Sequence, residues 1–362
     1  MLKKVVFVVS TLDSGGVENY LLRFLRFFDT KIHPIVLCRG NYFGELEEEY
    51  RRISHIEIIK MDLSKLDFNS NRLFYSFLKK SQADCFVDFS GHFSGILMFI
   101  AKLAGIKKRI VFYRESAFQF RLNFFKSLYI SFSKFLVKFS ATKILSNSVY
   151  ALEYFYPERD INNDKFKVIY NGIDFKTGEK KLSKEDFGIP KDSYVVGHTG
   201  RYNFAKNHTT ILKVAEYVCR KHDNIYFVLC GKNTDISLKA SVSSNKILED
   251  KVKLLGYRDD VNSILPIFDL FFFPSITEGQ PNSLIEAMIA GLPIVGSNIN
   301  TILETTPVEL HKELIDPLDV SGFSNAIEKY YLAEKCTSND LSLWAKKKFS
   351  AAVLFKEFFD EL

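Results

Sequence analysis

The sequence predicts an α/β protein made of two doubly wound parallel sheets, one in each half of the chain. Three observations carry this. Short apolar runs of strand length alternate with helical patterns almost from end to end, the signature of parallel βαβ units. The alternation breaks once, over residues 171–192, where Lys, Gly and charge rise and periodicity is lost. And 362 residues, 47% hydrophobic and 25% charged, suffice for two domains with separate cores.

Residues 3–10 read as a strand, and 17–28 as a helix with Leu21, Leu22, Leu25 and Phe28 on one side. Strands follow near 34–38, 56–61, 85–89, 109–113, 144–146 and 166–170. After the connection a second series covers 194–199, 225–230, 253–255, 269–273 and 293–296. Residues 342–359 are helical by pattern, and the terminal helix 342–362 is expected to pack back on the first domain. The domains are thus 1–170 and 171–341. No short repeat or low-complexity tract occurs, which sets aside solenoids and disordered tails. Two such halves predict a cleft between them, with ligands at strand carboxyl ends and loops 11–16, 198–208 and 275–281.

Charge is uneven. Residues 1–170 hold 26 Lys+Arg and 17 Asp+Glu, the remainder 23 and 26, so the first half is expected to meet something anionic. Five cysteines show no C-x-x-C pair and no His at metal-ligand spacing. Four of them lie in or beside apolar stretches and read as buried thiols; a reducing cytoplasm follows, with neither disulfide framework nor structural zinc. The N-terminal strand lacks the apolar core and cleavage site of a signal peptide. No uncharged apolar run of about 18 residues is available to span a bilayer.

The most informative stretch is Glu278-Gly-Gln-Pro-Asn-Ser-Leu-Ile-Glu286. An apolar run ending at Pro274 precedes it, so it reads as strand, turn and helix start, with Pro281 at the first helical position. Glu278 then hangs at a strand end and Glu286 sits more than a turn into the helix. Backbone N–H groups of Asn282, Ser283 and Leu284 open toward the same space, where the helix dipole favours an anion. Two carboxylates flanking such a helix mouth suit a ligand with hydroxyls around a phosphate, such as a nucleotide sugar.

Other motifs are weaker alone. Gly15 and Gly16 follow the first strand and let backbone approach a bulky ligand, although taken alone the pair is better explained as a plain tight turn. Neither G-x-G-x-x-G nor G-x-x-x-x-G-K-[ST] occurs, which removes the simplest arguments for a dinucleotide enzyme or a P-loop ATPase. Arg201 and Lys206, after the first strand of the second half, suit a diphosphate as fork and point charge, or are solvated surface. Asn147, Ser148 and the Asn171-Gly172 pair are turn formers near the crossover. His92 lies between two glycines at a strand-to-helix junction, either a bystander or a substrate contact.

Residues 116–152 contain no Asp or Glu, five cations from Arg121 to Lys143, and seven phenylalanines between Phe118 and Phe139. One reading is a helix buried against its own sheet with cations in water. The other is an interfacial helix on anionic lipid. No nucleic-acid module accompanies the patch.

Together these segments resemble the retaining glycosyltransferases of family 4, whose fold is GT-B, two Rossmann-like domains facing across a cleft. The matching pieces are Gly15-Gly16-Val-Glu, Val168-Ile-Tyr-Asn-Gly-Ile-Asp174, Gly200-Arg201 with Lys206-Asn207, and Leu255-Gly-Tyr-Arg-Asp-Asp-Val261. The Glu278 to Ala287 stretch and Gly291-Leu-Pro-Ile-Val295 complete them. The style is that of enzymes of bacterial capsule, exopolysaccharide and O-antigen assembly.

The resemblance implies that Arg201 and Lys206 grip the donor diphosphate and Glu286 binds the ribose hydroxyls. It implies that Glu278, with N–H groups from Gly279 to Leu284, holds the sugar and distal phosphate. Gly15 and Gly16 would let the first domain close over the phosphates, while Gly256, Tyr257 and Arg258 line the base pocket. No metal or other cofactor is expected, and the chain has no D-x-D triplet. Many relatives carry a His after the strand near 109–113, where this chain has Tyr113-Arg114-Glu115-Ser116. Glu115 or Arg114 takes that place, or His92 serves from the neighbouring loop. The expected function is transfer from a UDP-sugar, or a GDP-sugar, to a lipid-linked saccharide at the inner face of the cytoplasmic membrane. Rivals of the same architecture are a nucleotide-sugar epimerase, a phosphorylase or a non-catalytic assembly partner.

Overall fold

The computed structural model describes residues 2–40, 42–63, 67–115, 123–174, 178, 180–333 and 339–362. The chain forms two compact units, Met1–Gly172 joined by Ala351–Leu362, and Ile173–Ser350.

The first unit has seven strands: β1 (Lys3–Val9), β2 (Ile32–Cys38), β3 (Glu57–Lys60), β4 (Cys85–Asp88), β5 (Lys108–Tyr113), β6 (Lys143–Ser146) and β7 (Phe166–Val168). They lie in the order β3-β2-β1-β4-β5-β6-β7, all parallel, with Val5 opposite both Pro34 and Cys85. The winding reverses between β1 and β4, the switch point where such sheets hold ligands. Both faces are covered, so β1 is apolar throughout. Val5, Phe7 and Val9 enter one core and Val6 and Val8 the other, as a period of two requires. The first core is strongly aromatic: Phe24 stands 4.7 Å from Phe358 and Tyr20 5.6 Å from Phe355. Helix Gly16–Phe27 and the C-terminal helix Ala351–Glu361 thus meet over the sheet.

The second unit has five parallel strands: β8 (Tyr194–Thr199), β9 (Ile225–Cys230), β10 (Val252–Gly256), β11 (Leu270–Phe273) and β12 (Ile294–Gly296). Their order is β10-β9-β8-β11-β12, again reversing beside the first strand.

One expectation is corrected. Residues 342–362 are not one helix: Asn339–Lys348 belongs to the second unit and Ala351–Glu361 to the first. Ile173 pairs with Ser350 in a parallel bridge and donates its N–H to Phe349 O at 2.9 Å, so the backbone there is extended. Ser342 Oγ donates to Ile289 O at 2.6 Å and holds the earlier helix in place. The stretch after the crossover lies in the second unit, where Lys184 Nζ reaches Asp269 Oδ2 at 2.8 Å.

Cys38, Cys85, Cys219 and Cys230 are buried free thiols, each pushed by burial up to about 12 and so unreactive at neutral pH. Cys336 lies outside the described residues. No described helix is long and apolar enough to cross a membrane.

Candidate active site

In the second unit β8 and β11 are hydrogen-bonded neighbours, so the loops at their carboxyl ends emerge side by side. The loop after β8 is anchored when Gly200 N–H donates to Cys230 O at 2.8 Å and Tyr202 N–H to Lys232 O at 2.9 Å. It then makes a 3-10 turn, Phe204–Lys206, whose Asn203 side chain accepts the Lys206 N–H at 3.0 Å. Asn207 follows with φ of 57°, a left-handed conformation Asn tolerates. Its buried side chain donates to Pro274 O at 3.0 Å and Pro317 O at 2.7 Å. Ile276 N–H donates to Ala205 O at 2.8 Å, so the two loops are laced together.

That lacing brings Lys206 Nζ to 2.8 Å from Glu278 Oε1, with the side chains only 14% and 11% exposed. The Lys206 ammonium also stands 4.6 Å from the centre of the Phe273 ring. The family resemblance implies separate ligand contacts for these two residues, and in the structure they pair with each other. Such a pair keeps both charges in place because neither is stable there alone.

Helix Asn282–Ile289 begins one residue later than expected, with Pro281 as its cap and not its first residue. Pro281 has ψ of 83°, and its carbonyl accepts the Ile285 N–H at 3.1 Å. No side chain caps this end, which leaves the positive end of the dipole to a ligand. Ser283 and Glu286 are half-buried, whereas Leu284 is in the core, so only its backbone can face a ligand. Arg201 is exposed and makes no ion pair or hydrogen bond with any described residue.

Gly256 has φ of 63°, a conformation that favours Gly, and turns the chain into Tyr257, which is 57% exposed. Arg258 is bound bidentately to Asp260, Nε to Oδ1 at 2.7 Å and Nη2 to Oδ2 at 2.6 Å. Its guanidinium fork is therefore engaged within its own loop.

Sequence reasoning missed the buried histidines beneath these loops. His198, within β8, donates its Nδ1–H to Phe272 O at 3.0 Å, and its ring lies 5.2 Å from that of His208. His198 Nε2, Thr199 Oγ1 and Ser275 Oγ are buried without a hydrogen-bond partner among the described residues. Unsatisfied polar groups at the ends of the neighbouring strands β8 and β11 call for a ligand or water. The only available signal was polar residues interrupting the apolar end of a strand.

Burial, then the nearby His208 and Lys206, holds His198 well below the ordinary histidine range; burial and Lys206 push His208 down to about 4. An unfolded histidine takes up its proton near pH 6.5. Stability from neutral His208 is therefore complete above about pH 6.5 and is lost as pH falls toward its folded value. Thermal melts should fall between about pH 7 and about pH 4, with a shallower slope for His208→Asn. An unchanged slope in that variant contradicts the assignment.

In the first unit, helix Gly16–Phe27 opens at Gly15 with no side-chain cap, and the space around a Cβ at Gly16 is empty to 4 Å. Arg114, after β5, lays its guanidinium 3.9 Å over the Tyr20 ring and 4.8 Å over Phe112. Burial lowers it to about 10, opposed by Tyr20 and Glu18, so it stays charged at neutral pH. Glu115 is exposed. His92 is 3% exposed, its ring 4.1 Å from Phe93 and 5.6 Å from Phe155; burial and Lys134 push it down to about 4. It is a neutral interior group, not a presented one. Of the three candidates for the missing His, Arg114 reaches Tyr20 of the helix that Gly15 and Gly16 open.

Comparison with known proteins gives a consistent answer. The family described as Glycosyl transferases group 1 matches residues 179–347, and Glycosyltransferase Family 4 matches residues 14–177. The chain is 29% identical over 273 residues to the UDP-Gal:alpha-D-GlcNAc-diphosphoundecaprenol alpha-1,3-galactosyltransferase of Escherichia coli, covering 72% of this chain and 70% of that one. It is 26% identical to the capsular polysaccharide biosynthesis glycosyltransferase CapH of Staphylococcus aureus, covering 82% and 81%. The fold resembles Anabaena HepE, solved with UDP and glucose, at a TM-score of 0.79 and 18% identity, over 99% of this chain and 98% of that one. These matches span both units, and the chain belongs to the family 4 glycosyltransferases of GT-B architecture.

Proposed function

We propose that the chain is a retaining transferase that moves a sugar from a UDP-sugar to a lipid-linked saccharide in cell-surface polysaccharide synthesis. The observation that carries this is the Lys206–Glu278 pair beside an uncapped helix mouth, with Arg201 unengaged at the same strand end. The E. coli relative's name supports a uridine donor and a diphosphoundecaprenol-linked acceptor, and HepE's UDP supports the donor.

The donor diphosphate displaces Lys206 from exclusive pairing with Glu278 and is met by Arg201 and the N–H groups of Ser283 and Leu284. Glu278 is then available to sugar hydroxyls and Glu286 to the ribose. The bond from the anomeric carbon to the diphosphate oxygen breaks, and its electron pair leaves with the nucleotide. The acceptor oxygen bonds the same face of that carbon, and its proton passes to the departing phosphate oxygen. Lys206, Arg201 and the helix dipole stabilise that oxygen's charge, so no resident metal is required.

The test is nucleotide release from UDP- and GDP-sugars with a diphosphoundecaprenol-linked saccharide, with and without chelator, and product anomer read by NMR. Expected is UDP release that depends on acceptor, ignores chelator and keeps the anomeric configuration. Release from GDP-sugars alone, or an inverted product, defeats the reading. Gly16→Ala should leave the melting temperature unchanged, because its Cβ meets nothing, yet raise donor KM by about tenfold as backbone approach is lost. An unchanged KM removes Gly16 from the donor site.

A further inference from the structure

We infer that His198 positions the Lys206 ammonium for the donor diphosphate, its Nε2 taking over as hydrogen-bond acceptor when Glu278 turns to the sugar. This deepens the transfer reading above and rests on it. The imidazole is held in one state and one direction. Phe272 O, 3.0 Å from Nδ1, can only accept, so the proton sits on Nδ1 and the neutral ring leaves Nε2 as an acceptor. The ring is 1% exposed and lies nearly parallel to Phe271 and Phe273, 6.4 and 5.9 Å from their centres.

Nε2 has no hydrogen-bond partner among the described residues, and a buried acceptor without a donor is costly. The buried hydroxyls of Thr199 and Ser275 make no hydrogen bond among the described residues either, so neither supplies the donor. Gly200 marks the group that can. A Cβ built there stands 3.1 Å from His198 Nε2 and 3.0 Å from both Cδ and Cε of Lys206. The imidazole and the lysine chain thus converge on one bare Cα. Nζ lies a single bond beyond Cε, and turning the last bonds of the chain swings it from Glu278 Oε1, 2.8 Å away, toward Nε2. The two acceptors differ in charge. Glu278 cancels the ammonium it holds, whereas a neutral imidazole aims it and leaves its full charge to the diphosphate.

The test is calorimetric binding of UDP and of GDP to the full chain, with substitutions that separate the two ring nitrogens. His198→Asn keeps an amide N–H for Phe272 O but places nothing at Nε2, and should weaken nucleotide binding about tenfold, the scale of one charged hydrogen bond. His198→Gln places its amide oxygen at the Nε2 position and should bind within about threefold of the unaltered chain, although it melts lower because Phe272 O loses its donor. A purely structural His198 gives the reverse order of affinities and overturns the inference. Gly200→Ala wedges a methyl between the two side chains, leaves the Phe272 bond intact, and should weaken binding as His198→Asn does; it carries the test if the Asn variant does not fold. In the Lys206→Met/Glu278→Gln background, His198→Asn should cost nothing further, because it acts through Lys206. An equal loss in that background overturns the inference. Normal nucleotide binding that neither His198→Asn nor Gly200→Ala weakens overturns it alone, whereas an unaltered chain that binds neither nucleotide overturns the transfer reading as well.

Discussion

Arg201→Ala should lower kcat by about 10²- to 10³-fold, the usual cost of removing one preorganised group from a developing anion. The melting temperature should not move, because Arg201 is exposed and touches no described residue by hydrogen bond or ion pair. Steady-state kinetics with UDP-sugar and calorimetry on the same preparation check both halves. Arg201→Lys keeps the charge but not the fork and should recover only part of the rate. Near-normal turnover in the alanine variant removes Arg201 from the diphosphate site.

Lys206→Met should reduce both turnover and stability. Glu278, 11% exposed, is left with an unpaired carboxylate, and breaking such a pair costs about 3 kcal/mol, the low end for buried pairs. In a unit of this size that lowers its melting temperature by about 6–12 °C. Lys206→Met/Glu278→Gln, which removes both charges, should regain most of the stability while turnover stays about 10²-fold down. That split separates catalysis from scaffolding. If the double variant recovers turnover, Lys206 is structural; if the single variant melts normally, the pair does not persist in solution.

How much of this was legible depended on whether the signal was local. β1 and β11 announce themselves because a parallel strand covered on both faces must be apolar at consecutive positions, as Val5 to Val9 and Leu270 to Phe273 are. Glu278 and Glu286 were legible because the strand, turn and helix around them are contiguous. His198 was not, since one polar residue in a strand looks the same whether it faces a site or fills a core. The break at Phe349–Ser350 was illegible because helical periodicity continues through it, and what ends the helix is Ile173, remote in sequence.

The chain's order of apolar runs and turn residues, by itself, determined two parallel-sheet halves, their strand positions and the loops that carry the charged residues. Tertiary structure alone decided that Lys206 meets Glu278, that Arg258 turns to Asp260, that His92 is enclosed, and that Phe125 faces outward. The reason is physical. Periodicity states which side chains share a face, but whether that face meets a core, a partner charge or solvent is set by residues brought near only on folding.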